Sequence, residues 1–361
     1  MSPIPVMKPK LPSMEFLSPY LRSIDSSRHY SNFGPLVTQL EERLCARYGM
    51  MGGTIATVTN GTLGLALALG AQNVSPGSFC MLPAWTFVAS AHAAVMAGLV
   101  PYFVDVDPKT WMLDTSVVCD EIAKAPGRIG AVMPVAPFGR PIDIARWDRF
   151  RSRNDIPVVV DAAAGFDSIR AGETPAVVSL HATKVIGVGE GGFVMSTDKA
   201  LVRAIRARSN FGFLGARQAI LPSINAKLSE YHAAVGLAAL DEWECVRGQW
   251  LSVAQLYRRA LADMNRICFQ DGFGETWIAS TCVLQVADTN ADNVERKLAA
   301  ADIGTRRWWG HGAHAHPATC SFPRTSLPNT EALSGSTIGV PLYVDMNSTE
   351  IEHVAKALYA A

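Results

Sequence analysis

Lys184 follows Ser179-Leu180-His181-Ala182-Thr183 and precedes Gly189-Glu190-Gly191-Gly192, with short apolar runs at Val177–Leu180 and Phe193–Thr197 on either side. The glycines must reverse the chain between two strands, which leaves Lys184 at a strand end. A lone loop lysine is ordinarily a solvated charge. A lysine amine on such a turn can also anchor an aldehyde cofactor, and pyridoxal phosphate (PLP) is the one it points to.

Three further segments bear on that chemistry. Thr59-Asn60-Gly61-Thr62 lies between the β-branched run Thr54–Val58 and the apolar stretch Leu63–Leu69. A glycine turn opening a helix presents free amides and the positive dipole end, and Thr62 adds a hydroxyl, so a phosphate could be held there. The same pattern also serves as a plain helix cap. Ile156–Val160 is continuously apolar and ends on Asp161, followed by Ala162-Ala163-Ala164-Gly165. Such a strand suits a parallel sheet buried on both faces. Its terminal carboxylate is either a cap or a ligand contact, and against a pyridine nitrogen it would keep that nitrogen protonated. Trp85 follows the apolar run Phe79–Leu82 at a third strand end, where an indole either packs into the core or stacks on a flat ring.

Strand and helix signals alternate from about residue 50 to 208, which predicts an α/β fold with a largely parallel sheet. The large domain is expected over 1–245 and a smaller C-terminal domain over 246–361. Amphipathic helices are predicted over Leu228–Glu244 and Gln249–Met264. A strand follows over Trp277–Val286, then a helix near Asp292–Ala301 and a last helix capped by Asn347 or Ser348.

In order and spacing, these segments resemble the DegT/StrS family of PLP-dependent sugar aminotransferases, with the aspartate aminotransferase type I fold. The resemblance runs from Asn32-Phe33-Gly34-Pro35 through Pro101–Asp107, Pro134–Gly139 and Asn225–Gly236 to Pro341-Leu342-Tyr343. It implies a mostly parallel seven-stranded sheet with a smaller α+β domain. It further implies that Lys184 carries PLP covalently and moves the proton, that Asp161 holds the pyridine nitrogen and that Trp85 stacks on the ring. Gly61, Thr62 and Ser179 would bind the phosphate, with Asn225 reaching the phosphate of a neighbouring subunit in a homodimer with shared sites. The implied substrates are a nucleotide-linked keto sugar and an amino-acid donor such as glutamate. Two positions depart from the family: Ala164 replaces its usual glutamine, and Val185 replaces the asparagine often found after the lysine. A PLP lyase or dehydratase on the same scaffold, or a non-catalytic member, is the alternative. The related dehydratases put histidine in place of the lysine, and a non-catalytic member would lack Lys184 or Asp161.

Composition agrees with a large enzyme. The chain has 361 residues, 49% of them hydrophobic, and its 32 Lys and Arg balance 32 Asp and Glu, so no overall field attracts nucleic acid or anionic membrane. Seven scattered cysteines without a Cys-x-x-Cys pair suit reduced, cytoplasmic thiols. Met1–Ser13 holds four prolines and no apolar signal core, and the apolar stretch Trp85–Val104 is broken by Ser90, His92, Gly98 and Pro101, so neither export nor a membrane span is expected. His311, His314 and His316 lack acidic neighbours, so no metal is expected; the resemblance implies that this loop, beyond Trp308-Trp309, approaches the active site and contacts the substrate. Arg206 and Arg208 read as solvated helix charges.

Overall fold

A computed structural model describes residues 3–287 and 291–361. Seven strands form the central layer: β1 (Ile55–Val58), β2 (Phe79–Pro83), β3 (Val100–Val104), β4 (Ile129–Val132), β5 (Val160–Asp161), β6 (Ala176–Ser179) and β7 (Gly192–Met195). One ladder runs β1-β7-β6-β5 and another β3-β2-β4. Parallel bridges from Val132 to Val158 and from Val135 to Asp161 join them into one sheet of order 1-7-6-5-4-2-3. Only β7 runs antiparallel to its neighbours. The mostly parallel seven-stranded sheet that the resemblance implies is the sheet observed.

Burial explains the composition of these strands. Every residue of β1, β4, β6 and β7 is buried, because helices cover both faces of the sheet. Helix Gly61–Gly70 lies so close to the sheet that a Cβ on Gly64 would sit 2.9 Å from Val177 Cγ1. The apolar run Ile156–Asp161 forms a shorter strand than expected. Pro157 has no N–H to give, and only its carbonyl pairs, accepting from Val132 N at 2.9 Å, so regular pairing waits until Val160.

The C-terminal part carries an antiparallel sheet of β8 (Ile267–Phe269), β9 (Cys282–Val286) and β10 (Thr337–Val340), in the order β10-β9-β8. The strand expected from Trp277 begins only at Cys282. Trp277 instead closes a loop, its indole donating to Asp271 O at 2.9 Å. Helices Glu230–Asp241 and Trp243–Ala260 follow one another with a break at Glu242, the first capped by Ser229. The last helix, Ser348–Tyr359, starts at Asn347 in a capping box with Glu350. One continuous core runs from Leu40 and Phe193 to Trp277 and Ile338. The amino-terminal segment lies along the C-terminal part, with Ile4 bridging Ile303 and Lys8 paired with Asp345 at 2.9 Å.

The two arginines expected in solvent are corrected by the fold. Arg206 is half-buried, bonds Glu41 and the Ile55 carbonyl, and lies over the Phe33 ring at 5.0 Å. Arg208 is also half-buried, lies near Gly70, and its Nε is shut away from water. Helix Lys199–Arg208 presses its last turn against the sheet edge, so these guanidiniums cover backbone that water would otherwise reach.

Candidate active site

Parallel strands whose ends lie along one edge of the sheet bring together residues far apart in sequence. At the end of β6, Leu180 N donates to Gly191 O, Val188 N to Leu180 O and Ala182 N to Gly189 O, at 2.8–2.9 Å. These bonds fold residues 180–191 into a compact reversal, with Lys184 N tied to His181 O at 2.9 Å. Gly187 permits the packing, since a Cβ there would lie 2.8 Å from Ala182 Cα and its carbonyl oxygen. His181 Nδ1 and Thr183 Oγ1, 2.8 Å apart, stiffen the turn. Lys184 retains partial exposure. Desolvation nevertheless pulls its amine below the ordinary lysine range, against the attraction of Asp161.

Asp161, at the end of β5, is only 6% exposed. Its Oδ2 accepts from Ser90 Oγ at 2.7 Å and its Oδ1 from Ala163 N at 3.1 Å. Burial pushes the carboxyl up, while Ser90, Ala163 and the Lys184 charge pull it back toward the ionised form.

The loop after β1 leads into helix Gly61–Gly70, capped by Asn60 through a 2.9 Å bond to Leu63 N. The first N–H groups of a helix have no acceptor within it, which leaves those of Gly61 and Thr62 free for an anion. A Cβ on Gly61 would lie 3.3 Å from Ser179 Cβ, so the helix start and the end of β6 face each other directly. A helix amino terminus and a serine hydroxyl to donate to a phosphate, a buried carboxylate to accept from a pyridinium N–H and a desolvated amine to meet an aldehyde together fit PLP.

Trp85, after β2, is buried, and among the described residues its Nε1 has no hydrogen-bond partner. Trp309 meets it edge-on at 5.4 Å and stacks on Phe138 at 3.9 Å. The histidine-bearing loop docks beside this turn, with Ala313 N donating to Ala84 O at 2.8 Å. His314 lies edge-on to Phe103, and its imidazole is pulled down by burial. Among the described residues no cluster of three or more His, Cys, Asp or Glu could hold a metal.

Asn225 is exposed and antiparallel to Asn210, and the next residue, Ala226, accepts from Thr59 N at 2.9 Å. Among the described residues its side chain makes no hydrogen bond within the chain. Ala164 leaves no amide in the place of the family's glutamine, and its carbonyl would lie 2.7 Å from a Cβ on Gly139. Val185 is buried with Ile186 and Val188 in the core.

Sequence reasoning missed Thr86 and Ser90. Their signal was two hydroxyls spaced i, i+4 directly after Trp85, in a segment otherwise rich in alanine. It also missed Phe138 as the partner of Trp309.

Comparison with known proteins agrees with this geometry. The chain is 33% identical to the dTDP-4-amino-4,6-dideoxy-D-glucose transaminase of Shigella dysenteriae over 374 residues, 99% of this chain and 98% of that protein. Its fold superimposes on a solved Bacillus cereus structure designated a PLP-dependent aminotransferase with a TM-score of 0.92, at 26% identity over 99% of this chain and all of that one. It matches DesI, solved in the presence of its TDP-sugar product, with a TM-score of 0.90 at 29% identity over 100% of this chain and 93% of that one. The sequence pattern of one aminotransferase family matches residues 14–359, so the chain belongs to the DegT/DnrJ/EryC1/StrS aminotransferase family.

Proposed function

We propose that this PLP-dependent sugar aminotransferase moves an amino group from an amino acid such as glutamate to a nucleotide-linked keto sugar. The observation that carries the reading is that Asp161, at the end of β5, and Lys184, in the reversal after β6, lie at the same end of two adjacent parallel strands. The nearness of Gly61 to Ser179 supplies the phosphate cradle beside them.

Bound PLP supplies an aldehyde that takes the donor's amine and a ring that withdraws electrons from the adjoining carbon. Lys184 is suited to move the proton between the amino-acid α-carbon and the cofactor's C4′, because desolvation keeps more of its amine in the neutral, basic form. Asp161, held by two donors, would meet the pyridine nitrogen and keep it protonated. Trp85 would cover a ring face, and Gly61, Thr62 and Ser179 would hold the phosphate. Trp309 and the loop beyond it pack beside the Trp85 turn, where they would meet the sugar.

We further infer that the working unit is a homodimer in which Asn225 serves the partner's phosphate site. Its support is the free, exposed Asn225 side chain, on a segment where Phe211, Ile220 and Ile224 are also exposed. Seven unpaired cysteines suit a reducing, cytoplasmic setting. Among the described residues no helix is long and apolar enough to cross a membrane.

The test incubates the PLP-loaded enzyme with glutamate and a panel of nucleotide keto sugars, with products read by mass spectrometry. An aminated nucleotide sugar is expected. Donor deamination without any sugar amination across the panel would overturn the substrate class. Borohydride should fix the cofactor on the peptide containing Lys184, and recovery on another lysine would overturn the anchor.

A further inference from the structure

We infer that Thr86, Ser90 and Asp161 form a directional hydroxyl relay, in which Ser90 positions the Asp161 carboxylate and ties it to the turn that carries Trp85. The inference rests on the cofactor reading above. It adds that one short segment, residues 85–90, fixes both the aromatic face and the carboxylate edge of that site.

The geometry is closed and dry. Thr86 Oγ1 lies 2.8 Å from Ser90 Oγ, and Ser90 Oγ lies 2.7 Å from Asp161 Oδ2. The three residues are 1%, 0% and 6% exposed. Each hydroxyl has one proton to give. An ionised carboxylate has none, so Ser90 must donate to Asp161 and Thr86 must then donate to Ser90. The direction therefore follows from the charge state of Asp161, and protonation at Oδ2 would let the chain reverse.

Position supports a specific role over chance packing. Ser90 sits in helix Val88–Met96, where Ala91, Ala93 and Ala94 are fully buried. A serine at such a place costs stability unless its hydroxyl is satisfied, and an alanine would fit without that debt. Thr86 precedes the extended N-cap Phe87, and the turn that leads into the helix brings its hydroxyl onto Ser90 in the first helical turn. The sheet order sets β2 and β5 on either side of β4, so the relay spans that strand from the Trp85 turn to Asp161. Lys184 is the charged side chain that acts on Asp161, and the remaining donor to the carboxylate is Ala163 N. Removing Ser90 would leave Oδ2, in a buried setting, with no donor among the described residues.

The test has a readout that needs no turnover. The Asp161 carboxyl is followed by carbon-13 NMR against pH in the cofactor-free protein, alongside its affinity for PLP measured by absorbance titration. Ser90→Ala should move the carboxyl midpoint upward and weaken PLP binding by about tenfold, the scale of one hydrogen bond to a charged group. Ser90→Thr keeps the hydroxyl and should behave as wild type. Thr86→Val should shift the midpoint in the same direction by less, because it removes only the donor behind Ser90. An unmoved midpoint in Ser90→Ala overturns the relay, as does an equal shift in Ser90→Thr, which would make the effect one of packing. If Ser90→Ala does not fold, Ser90→Cys, a weaker donor, takes its place with the same expectations. Borohydride labelling of wild-type Lys184 separates the two readings. Label on Lys184 with an unmoved midpoint defeats the relay alone, whereas absence of label defeats the cofactor reading whatever the titration shows.

Discussion

Gly61 and Ser179 approach so closely that a methyl group on the glycine would sit 3.3 Å from the serine Cβ. That spacing leaves room for an anion between the helix start and the end of β6 only while position 61 has no side chain. Gly61→Ala should therefore weaken PLP binding by roughly tenfold, the scale of one charge-assisted hydrogen bond lost from the phosphate, with little change in melting temperature. Equilibrium dialysis of the cofactor-free variant measures this. Unchanged affinity would remove the phosphate from this cradle.

Asp161 links activity to stability with opposite signs. Burial raises its carboxyl above the ordinary 3.8, so its contribution to stability is fully present below that pH and is lost as pH rises through the folded-state value. Near neutral pH the ionised group is a cost to the empty protein. Cofactor-free Asp161→Asn should then melt higher than wild type at about pH 7.5, with the gap closing toward about pH 4. Its turnover with PLP should fall by about 10²–10⁴-fold, the range for a positioned acid–base group. Calorimetry and steady-state rates on the same preparation test both signs, and a variant with near-normal turnover would reduce Asp161 to a strand cap.

Shared sites predict complementation. Lys184→Ala and Asn225→Ala subunits, each inactive or impaired as homodimers, should recover activity when mixed and allowed to exchange. In each hybrid one site carries both defects and the other carries none. Activity that stays at the average of the two parents, or full activity in a sedimenting monomer, would place the whole site in one chain.

Arg206 tests the corrected reading of its helix. Its partner Glu41 also accepts from Thr57 N and Thr57 Oγ1, each at 2.9 Å, so the pair braces the middle of β1 from behind. Arg206→Ala should cost about 1–3 kcal/mol in urea unfolding, less than a fully buried pair because the guanidinium keeps some contact with water. Arg203, exposed on the same helix, is the control and should change stability by less than about 0.5 kcal/mol when replaced by alanine.

Each group proposed to do chemistry has a local signature in the sequence. Lys184 stands on a glycine-bounded reversal, Asp161 ends an all-apolar run, and Gly61 opens a helix after a β-branched strand. Those patterns are readable because strand burial, turn geometry and helix capping act over a few residues. Together with the family resemblance they pointed to the fold class, the cofactor and the strand ends proposed to carry the site. Tertiary structure decided what touches what. The order 1-7-6-5-4-2-3 sets Asp161 at the end of β5 beside the reversal after β6 that carries Lys184, and brings Ser90 across β4 to the carboxylate. It brought Trp309 onto Phe138 from 171 residues away in the chain and closed Arg206 onto Glu41. Such contacts depend on how whole elements pack, and a helix surface of alanines, serines and arginines reads the same in sequence whether water or a sheet edge covers it.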